Sequence, residues 1–303
     1  PPWENQPYTK LVIEEGVSAL GSSAFCDSDV QTITWADSVE TIGSSAFQNC
    51  DKLKEITIPS SIKTVGTRAF SSCDTLERAT VPGSVAAVSD NMFYYCEALT
   101  SVTIQDGVGA IGEEAFKYCK KLNNIAIPGS VKTIGVNAFE ACDKLLSVEM
   151  QKGLESIGEG AFADCSQLVN ITIPDSVESI GDNAFSVCAN LTDVTIPGSV
   201  KHIGDFAFSS CKLISVNIPQ GVETIGESAF FQCDNMHNVA FSDTVTSIGM
   251  KAFRFDSQLM YIVLPDSLTT IGQEAFADCE NLRMVYIPKS VIGIGREAFN
   301  NCP

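Results

Sequence analysis

The chain has 303 residues, of which 45% are hydrophobic, and its 37 acidic and 19 basic side chains give a formal net charge of −18. Such a negatively charged surface repels nucleic acid and anionic membranes, which argues against both as partners. No stretch reaches the roughly 18 uninterrupted apolar residues that a membrane-spanning helix requires, so direct membrane insertion is not expected.

Residues 1–10 precede the first repeat and are predicted to form an N-terminal cap. They include Trp3 and Tyr8, whose large side chains are suited to covering the open end of a first coil. Repeat arrays need such caps because their terminal coils otherwise expose the core. The opposite end, Cys302-Pro303, stops within a repeat and has no polar cap. This predicts either a longer chain or an end that associates.

From residue 11 to residue 303 the sequence repeats, and a recurring Ala-Phe pair marks the period. The marker phenylalanines are spaced by 23 residues ten times and by 22 residues twice. They are Phe25, Phe47, Phe70, Phe93, Phe116, Phe139, Phe162, Phe185, Phe208, Phe230, Phe253, Phe276 and Phe299. A fixed period of this length indicates a solenoid, in which single units bury their apolar face only against their neighbours.

One clear copy, CSQLVNITIPDSVESIGDNAFSVC, runs from Cys165 to Cys188. Its apolar residues alternate through Ile171 and Ile173, which predicts a strand with these two side chains inward and their neighbours outward. Pro174 removes a backbone donor and ends the strand.

The second half of the copy returns to the core. Val177 and Ile180 are predicted to be buried, while Gly181 either adopts a positive φ or lets two backbones approach closely. Residues 184–188 place Ala, Phe and Cys at positions i, i+1 and i+4, which predicts a short helical or 3₁₀ turn.

The full pattern, C-x-x-L-x-x-[VI]-x-[IV]-P-x-[SG]-V-x-x-I-G-x-x-A-F-x-x-C, resembles the BspA-type leucine-rich repeat over essentially the whole chain. The resemblance implies an α/β repeat fold: a right-handed solenoid of about 13 coils of 23 residues, with a parallel sheet on one face and short helical or 3₁₀ turns on the other. Residues 11–303 are then expected to form a single solenoid domain, truncated at its C-terminus if the chain continues. The resemblance also implies a secreted or cell-surface, adhesin-like role.

Eleven of the twelve cysteines occupy one position of the repeat, a full coil apart. Zinc sites need cysteines at short spacings, and stacked side chains point in parallel rather than toward each other, so neither metal nor disulfides are favoured. We expect buried structural thiols instead. Three positions depart from the repeat, at Cys26, Ser89 and Asp256, and are expected to be loosened or more exposed.

Catalytic and cofactor-binding motifs are missing from the sequence. It has only His202 and His237, at unrelated repeat positions, and it contains no phosphate-binding, dinucleotide-binding, zinc-protease or serine-hydrolase signature. We therefore predict that the protein is not an enzyme and needs no cofactor. A hydrolase with an unrecognised polar pocket is the less favoured alternative.

Partners of a solenoid usually contact the outward residues of its parallel sheet. One outward row carries threonines, which favour strands and offer at most a weak glycan contact: Thr57, Thr80, Thr103, Thr172 and Thr195. The last two coils differ and form what we call the C-terminal patch, preceded by His237 and Asn238. The patch comprises Met260, Tyr261, Val263, Arg283, Met284 and Tyr286.

Aromatic residues, Met and Arg are enriched at protein interfaces. The C-terminal patch is therefore predicted to bind another protein, either a host or matrix protein or a second copy of this chain. A segment beyond residue 303 that covers the patch is a further possibility. The sequence thus favours a non-catalytic protein-binding or adhesion module, with a structural spacer or stalk as the alternative.

Overall fold

The structure, a computed structural model, describes residues 8–303. Trp3 and most of the cap predicted for residues 1–10 lie outside the described residues. The chain divides into two compact units, Pro1–Leu154 and Glu155–Pro303.

The described residues form 26 short strands. In the first unit the strands are β1 (Lys10–Val12), β2 (Ala19–Leu20), β3 (Thr32–Thr34), β4 (Thr41–Ile42), β5 (Glu55–Thr57), β6 (Thr64–Val65), β7 (Arg78–Val81), β8 (Ala87–Val88), β9 (Ser101–Ile104), β10 (Ala110–Ile111), β11 (Asn124–Ile127), β12 (Thr133–Ile134) and β13 (Ser147–Met150). In the second unit they are β14 (Ser156–Ile157), β15 (Asn170–Thr172), β16 (Ser179–Ile180), β17 (Asp193–Thr195), β18 (His202–Ile203), β19 (Ser215–Ile218), β20 (Thr224–Ile225), β21 (Asn238–Phe241), β22 (Ser247–Ile248), β23 (Tyr261–Val263), β24 (Thr270–Ile271), β25 (Met284–Tyr286) and β26 (Gly293–Ile294).

All strand pairs are parallel, and they form two separate rows rather than the one sheet expected. The odd-numbered strands pair as β1–β3 and β5 through β13 in the first unit, and as β15–β17, β19–β21 and β23–β25 in the second. The two-residue even-numbered strands pair as β2–β4–β6 and β8–β10–β12 in the first unit, and as an unbroken row from β14 to β26 in the second. The result is a parallel β-solenoid of about 12 turns of about 23 residues, since thirteen repeat markers enclose twelve steps.

The core follows the repeat positions read from the sequence. Ile171 and Ile173 are buried, Val177 and Ile180 behind them are also buried, and the residues on either side of Ile171 are exposed. Phe185 has no accessible surface and stacks between the rings of the coils before and after it, with both centroid separations at 5.3 Å. Each coil therefore depends on its neighbours for burial, as a solenoid requires.

The predicted helical or 3₁₀ turns are wrong, because residues 8–303 contain no helix and the A-F-x-x-C segments are runs of tight turns. In one such segment the N–H groups of Ser45, Phe47 and Asn49 donate to carbonyls of the following coil at 2.8–3.0 Å. Ser45 and Asn49 also have φ angles of 55° and 57°. Left-handed residues interrupt a right-handed helix, and donors used between coils are lost to it.

The glycine of the repeated Ile-Gly pair serves close approach rather than a positive φ. A Cβ added to Gly181 would lie 2.6 Å from the backbone nitrogen of Glu159 in the preceding coil. No side chain fits at that distance. Of the two alternatives that the sequence left open, the close approach of two backbones is therefore confirmed.

The three departures from the repeat behave differently from one another. Cys26 is half-exposed, and Ser89 is half-buried with its hydroxyl donating to the Gly66 carbonyl at 2.9 Å. Asp256, expected to be loosened or exposed, has no accessible surface. Its Oδ1 accepts the backbone N–H of Cys233 at 2.8 Å. This bond holds the carboxyl within the row of cysteine side chains that recurs from coil to coil, which we call the thiol ladder.

Most of the ladder thiols donate hydrogen bonds to backbone oxygens. Ten of them donate to the carbonyl of the marker phenylalanine one coil earlier, at Sγ–O distances of 3.1–3.3 Å. Burial raises the pKa of Cys142 and Cys188 well above the usual value. These thiols are thus protonated as well as inaccessible.

We predict that Cys119, Cys142 and Cys188 resist thiol reagents in the native protein and react once denaturant is added, because the thiolate is the reactive species. Half-exposed Cys26, whose pKa rises only to about 11, is the internal control and is expected to react first. Mass spectrometry of timed labelling measures this. Rapid native labelling of the three buried thiols would contradict the ladder.

Candidate partner-binding surface

The C-terminal patch lies on two paired strands of the second unit. In β23 and β25, Tyr261 pairs with Met284, and Val263 pairs with Tyr286. The N–H of Arg283 also donates to the carbonyl of Met260 at 3.0 Å, one position before each strand. The register therefore places the six residues in three adjacent pairs.

The patch side chains are exposed, and within β23 and β25 the outward positions are those that the alternation predicts. Tyr261 is 43% and Tyr286 is 58% exposed, whereas Ile262 between the two outward positions of β23 is fully buried. Met260, Val263 and Met284 are also more than half exposed, and Arg283 is exposed. The predicted orientation of these side chains is confirmed, and the role of the C-terminal patch in binding stays a prediction.

His237 and Asn238 are less closely associated with the patch. They lie at the start of β21, which pairs with β19, whereas β23 pairs with β25. His237 is exposed, with its Nδ1 at 2.7 Å from the Asn235 carbonyl, and Asn238 is half-buried. The structure thus places them one strand before the patch and outside its two-stranded ladder.

The threonine row is present in each unit. Thr57 pairs with Thr80 and Thr80 with Thr103 in the first unit, and Thr172 pairs with Thr195 in the second. Ala126 and Glu149 continue the row in the first unit. The row offers small side chains and scattered hydroxyls.

The described residues offer few groups for chemistry. No three His, Cys, Asp or Glu side chains within residues 8–303 are grouped so that they could hold a metal ion. His202 Nδ1 lies 2.6 Å from the Thr224 hydroxyl on the paired strands β18 and β20, remote in sequence from His237. Within the same residues, no helix is long and apolar enough to cross a membrane.

Two further surface features were missed from the sequence. A cleft separates β3 from β5 in the first unit. The A-F-x-x-C turns form a second side of the coils, which we call the turn side. On the turn side of the same unit, Tyr94, Tyr95 and Tyr118 form an aromatic cluster, with the Tyr95 and Tyr118 ring centroids 5.2 Å apart. The adjacent tyrosines at residues 94 and 95 were the available signal for the cluster.

Comparison with known proteins identifies the repeat and several relatives. The model of the BspA type leucine rich repeat region matches residues 3–123, 86–214 and 179–303. A leucine-rich repeat protein from Bacteroides ovatus is 28% identical, with 97% of this chain and 87% of that chain covered and a TM-score of 0.60. A leucine rich cell surface protein from Faecalibacterium prausnitzii is 30% identical, with 98% and 86% covered and a TM-score of 0.53.

The leucine-rich repeat protein of T. pallidum is 30% identical over 60% of this chain and 77% of that chain, with a TM-score of 0.50. A search of curated proteins gave no match.

Proposed function

Because this chain belongs to the BspA-type leucine-rich repeat family, we propose that it is a non-catalytic protein-binding module whose contact surface is the C-terminal patch. The observation that carries the proposal is the paired array of exposed Tyr and Met side chains on β23 and β25. Exposed apolar clusters are uncommon on soluble monomers and usually mark contact surfaces.

The composition of the patch supports a protein partner. Tyr and Arg dominate interface hot spots, because each combines a large contact area with a polar end. Tyr261 and Tyr286 each carry a hydroxyl above an apolar ring, and Arg283 supplies a cation on a chain whose net charge is −18. A partner surface with apolar pockets and a few acceptor groups would complement this arrangement.

Adhesion at a cell surface, or after secretion, is the biological setting that we propose. Its support is the family and the similarity to a leucine rich cell surface protein of F. prausnitzii. We further propose that residues 11–303 act as one right-handed repeat domain with residues 1–10 as its N-terminal cap. A spacer that displays another domain is the second candidate. It is favoured by the threonine rows, in which the same small side chain recurs from coil to coil.

We predict that replacing Tyr261 and Tyr286 together by serine leaves the fold intact and weakens binding by at least about 30-fold, since one interface tyrosine can contribute ~2 kcal/mol. Surface plasmon resonance against a panel of immobilised extracellular-matrix proteins measures affinity, and sedimentation measures self-association. The matched control makes the same two substitutions at Tyr95 and Tyr118, on the turn side. Unchanged binding and assembly in a folded Tyr261/Tyr286 variant would contradict the proposal.

A further inference from the structure

The row of odd-numbered strands in the first unit is interrupted between β3 and β5. β3 pairs with β1 and β5 pairs with β7, but no backbone hydrogen bond among the described residues joins β3 to β5. On the opposite side of the same coils, β2, β4 and β6 form an unbroken ladder. The two coils therefore touch along one side and are open along the other.

The sequence supplies a physical reason for this opening. Trp35 occupies the inward position that Ile58 holds in the next coil. The indole packs edge-on against Phe47, with the ring centroids 6.0 Å apart. Since Trp is much larger than Ile, it acts as a wedge in a ladder of smaller side chains. Trp35 and Ile33 are half-buried, whereas Ile58 is buried.

Backbone groups on the β5 side of the opening have no partner within the described part of the chain. The Lys54 carbonyl accepts the N–H of Arg78 in β7, and the Ile58 N–H donates to the Thr80 carbonyl in the same strand. The backbone groups of residues 54, 56 and 58 therefore face β7. Alternate residues of a parallel strand face opposite neighbours. The N–H and C=O groups of Glu55 and Thr57 consequently point toward β3.

The β3 side is arranged in the complementary way. The Thr32 N–H donates to the Thr9 carbonyl and the Thr34 carbonyl accepts from the Ile13 N–H, on either side of β1, so residues 32 and 34 face away from the opening. By the same alternation, the N–H and C=O groups of Ile33 and the N–H of Trp35 face β5. Two strand edges with alternating donors and acceptors thus face each other across the opening.

The opening is a cleft of about 980 Å³. Its apolar lining comes from Ile33, Trp35, Ile56 and Pro59, and threonines from three coils line its rim. The charged lining residues are Asp51, Lys52, Lys54 and Glu55, whose formal charges cancel. The cleft therefore differs from the strongly acidic surface that the rest of the chain presents.

We propose that this cleft binds an extended, uncharged peptide segment of a partner protein by adding it as a strand beside β3 or β5. Unpaired strand edges are templates for such pairing, with backbone hydrogen bonds giving affinity and alternate side chains giving specificity. Inward side chains of the segment would meet Trp35 and Ile33, and its outward side chains would meet the threonines of the rim. This site is separate from the C-terminal patch and goes beyond the function proposed for it.

The test uses a Trp3→Phe protein, in which Trp35 is the single tryptophan. The probe is a blocked peptide of alternating valine and threonine, and the matched control is the same peptide with N-methylated valines, which keeps the side chains but loses alternate donors. The unmodified peptide is expected to shift Trp35 emission to the blue and to slow amide exchange at Glu55 and Thr57. The methylated peptide is expected to do neither.

A Thr57→Pro variant removes one donor that faces the cleft and none that faces β7, so it should fold and lose at least tenfold in peptide affinity. The Tyr261→Ser, Tyr286→Ser protein should bind the peptide normally, which separates this site from the C-terminal patch. Unchanged Trp35 emission and exchange at millimolar peptide, or equal binding of the methylated peptide, would overturn the proposal. A peptide-free dimer that Thr57→Pro dissolves would identify a second copy as the occupant and overturn it as well.

Discussion

Replacement of Phe185 by alanine is expected to lower the free energy of unfolding by about 3–5 kcal/mol, the range typical of a deleted buried phenylalanine. Phe185 has no accessible surface and lies between two parallel rings, so its removal leaves a cavity bounded by both. The neighbouring coils cannot close on this space, because the hydrogen bond from the Phe185 N–H to the Ala207 carbonyl fixes their separation.

Denaturant titration of the whole chain measures the effect, and Phe299→Ala is the matched control. Phe299 stacks on Phe276 alone at 5.4 Å and is only half-buried, so the same change should cost clearly less there. Equal losses at the two positions would mean that the rings do not act as a ladder and that each coil is stabilised mainly by its own contacts.

Alternation of apolar residues was sufficient to predict the odd-numbered strands and their orientation. At β23 it predicted that Ile262 points inward and that Tyr261 and Val263 point outward, and the structure agrees. A strand periodicity of two leaves no other choice once one face must be buried. The location of the candidate patch could therefore be read from the sequence, although its binding function could not.

The turn side could not be read in the same way. Apolar residues at i, i+1 and i+4 fit a helical turn and a series of tight turns equally well, because both bring these positions to one face. The decisive feature is the left-handed backbone at positions such as Ser45 and Asn49. Other coils place Tyr118 and Val187 at these backbone angles, so residue type gives only a weak signal. The even-numbered strands are two residues long, too short for any periodicity to show.

The cleft and the burial of Asp256 were missed for another reason. Both depend on which hydrogen bonds form between coils, and a local pattern does not contain that information. Trp35 in an isoleucine position indicated an irregular coil, but not on which side it would open. A carboxyl in a cysteine position likewise suggested exposure, because an ionised carboxylate is rarely buried alone.

Asp256 is instead expected to be buried in its protonated form. Burial is the largest cause that raises the pKa of this carboxyl well above its usual value of 3.8; the N–H of Cys233 opposes the shift and nearby Asp234 adds to it. Oδ1 accepts that N–H, while Oδ2 has no hydrogen-bond partner among the described residues. At the neighbouring coils, Cys233 and Cys279 donate their thiol protons to a phenylalanine carbonyl.

The free energy of unfolding should therefore fall as the pH rises above about 3.8, because the unfolded chain releases the Asp256 proton and the folded chain retains it. The fall is expected to approach about 1.4 kcal/mol per pH unit until the pH reaches the folded-state pKa. Asp256→Asn keeps the acceptor and supplies a permanent donor of the same shape, so it should remove this slope and be more stable than the parent at neutral pH.

Asp278→Asn provides a control of opposite sign in the following coil. Hydrogen bonds from Asn301 and Arg254 lower the pKa of Asp278, so its contribution to stability is present above the unfolded pKa and is lost as the pH falls. Urea titrations of the parent and both variants between acidic and neutral pH separate the two effects. If Asp256→Asn destabilises the protein at neutral pH, or leaves the slope unchanged, the buried carboxyl is ionised and stabilised by contacts other than those described.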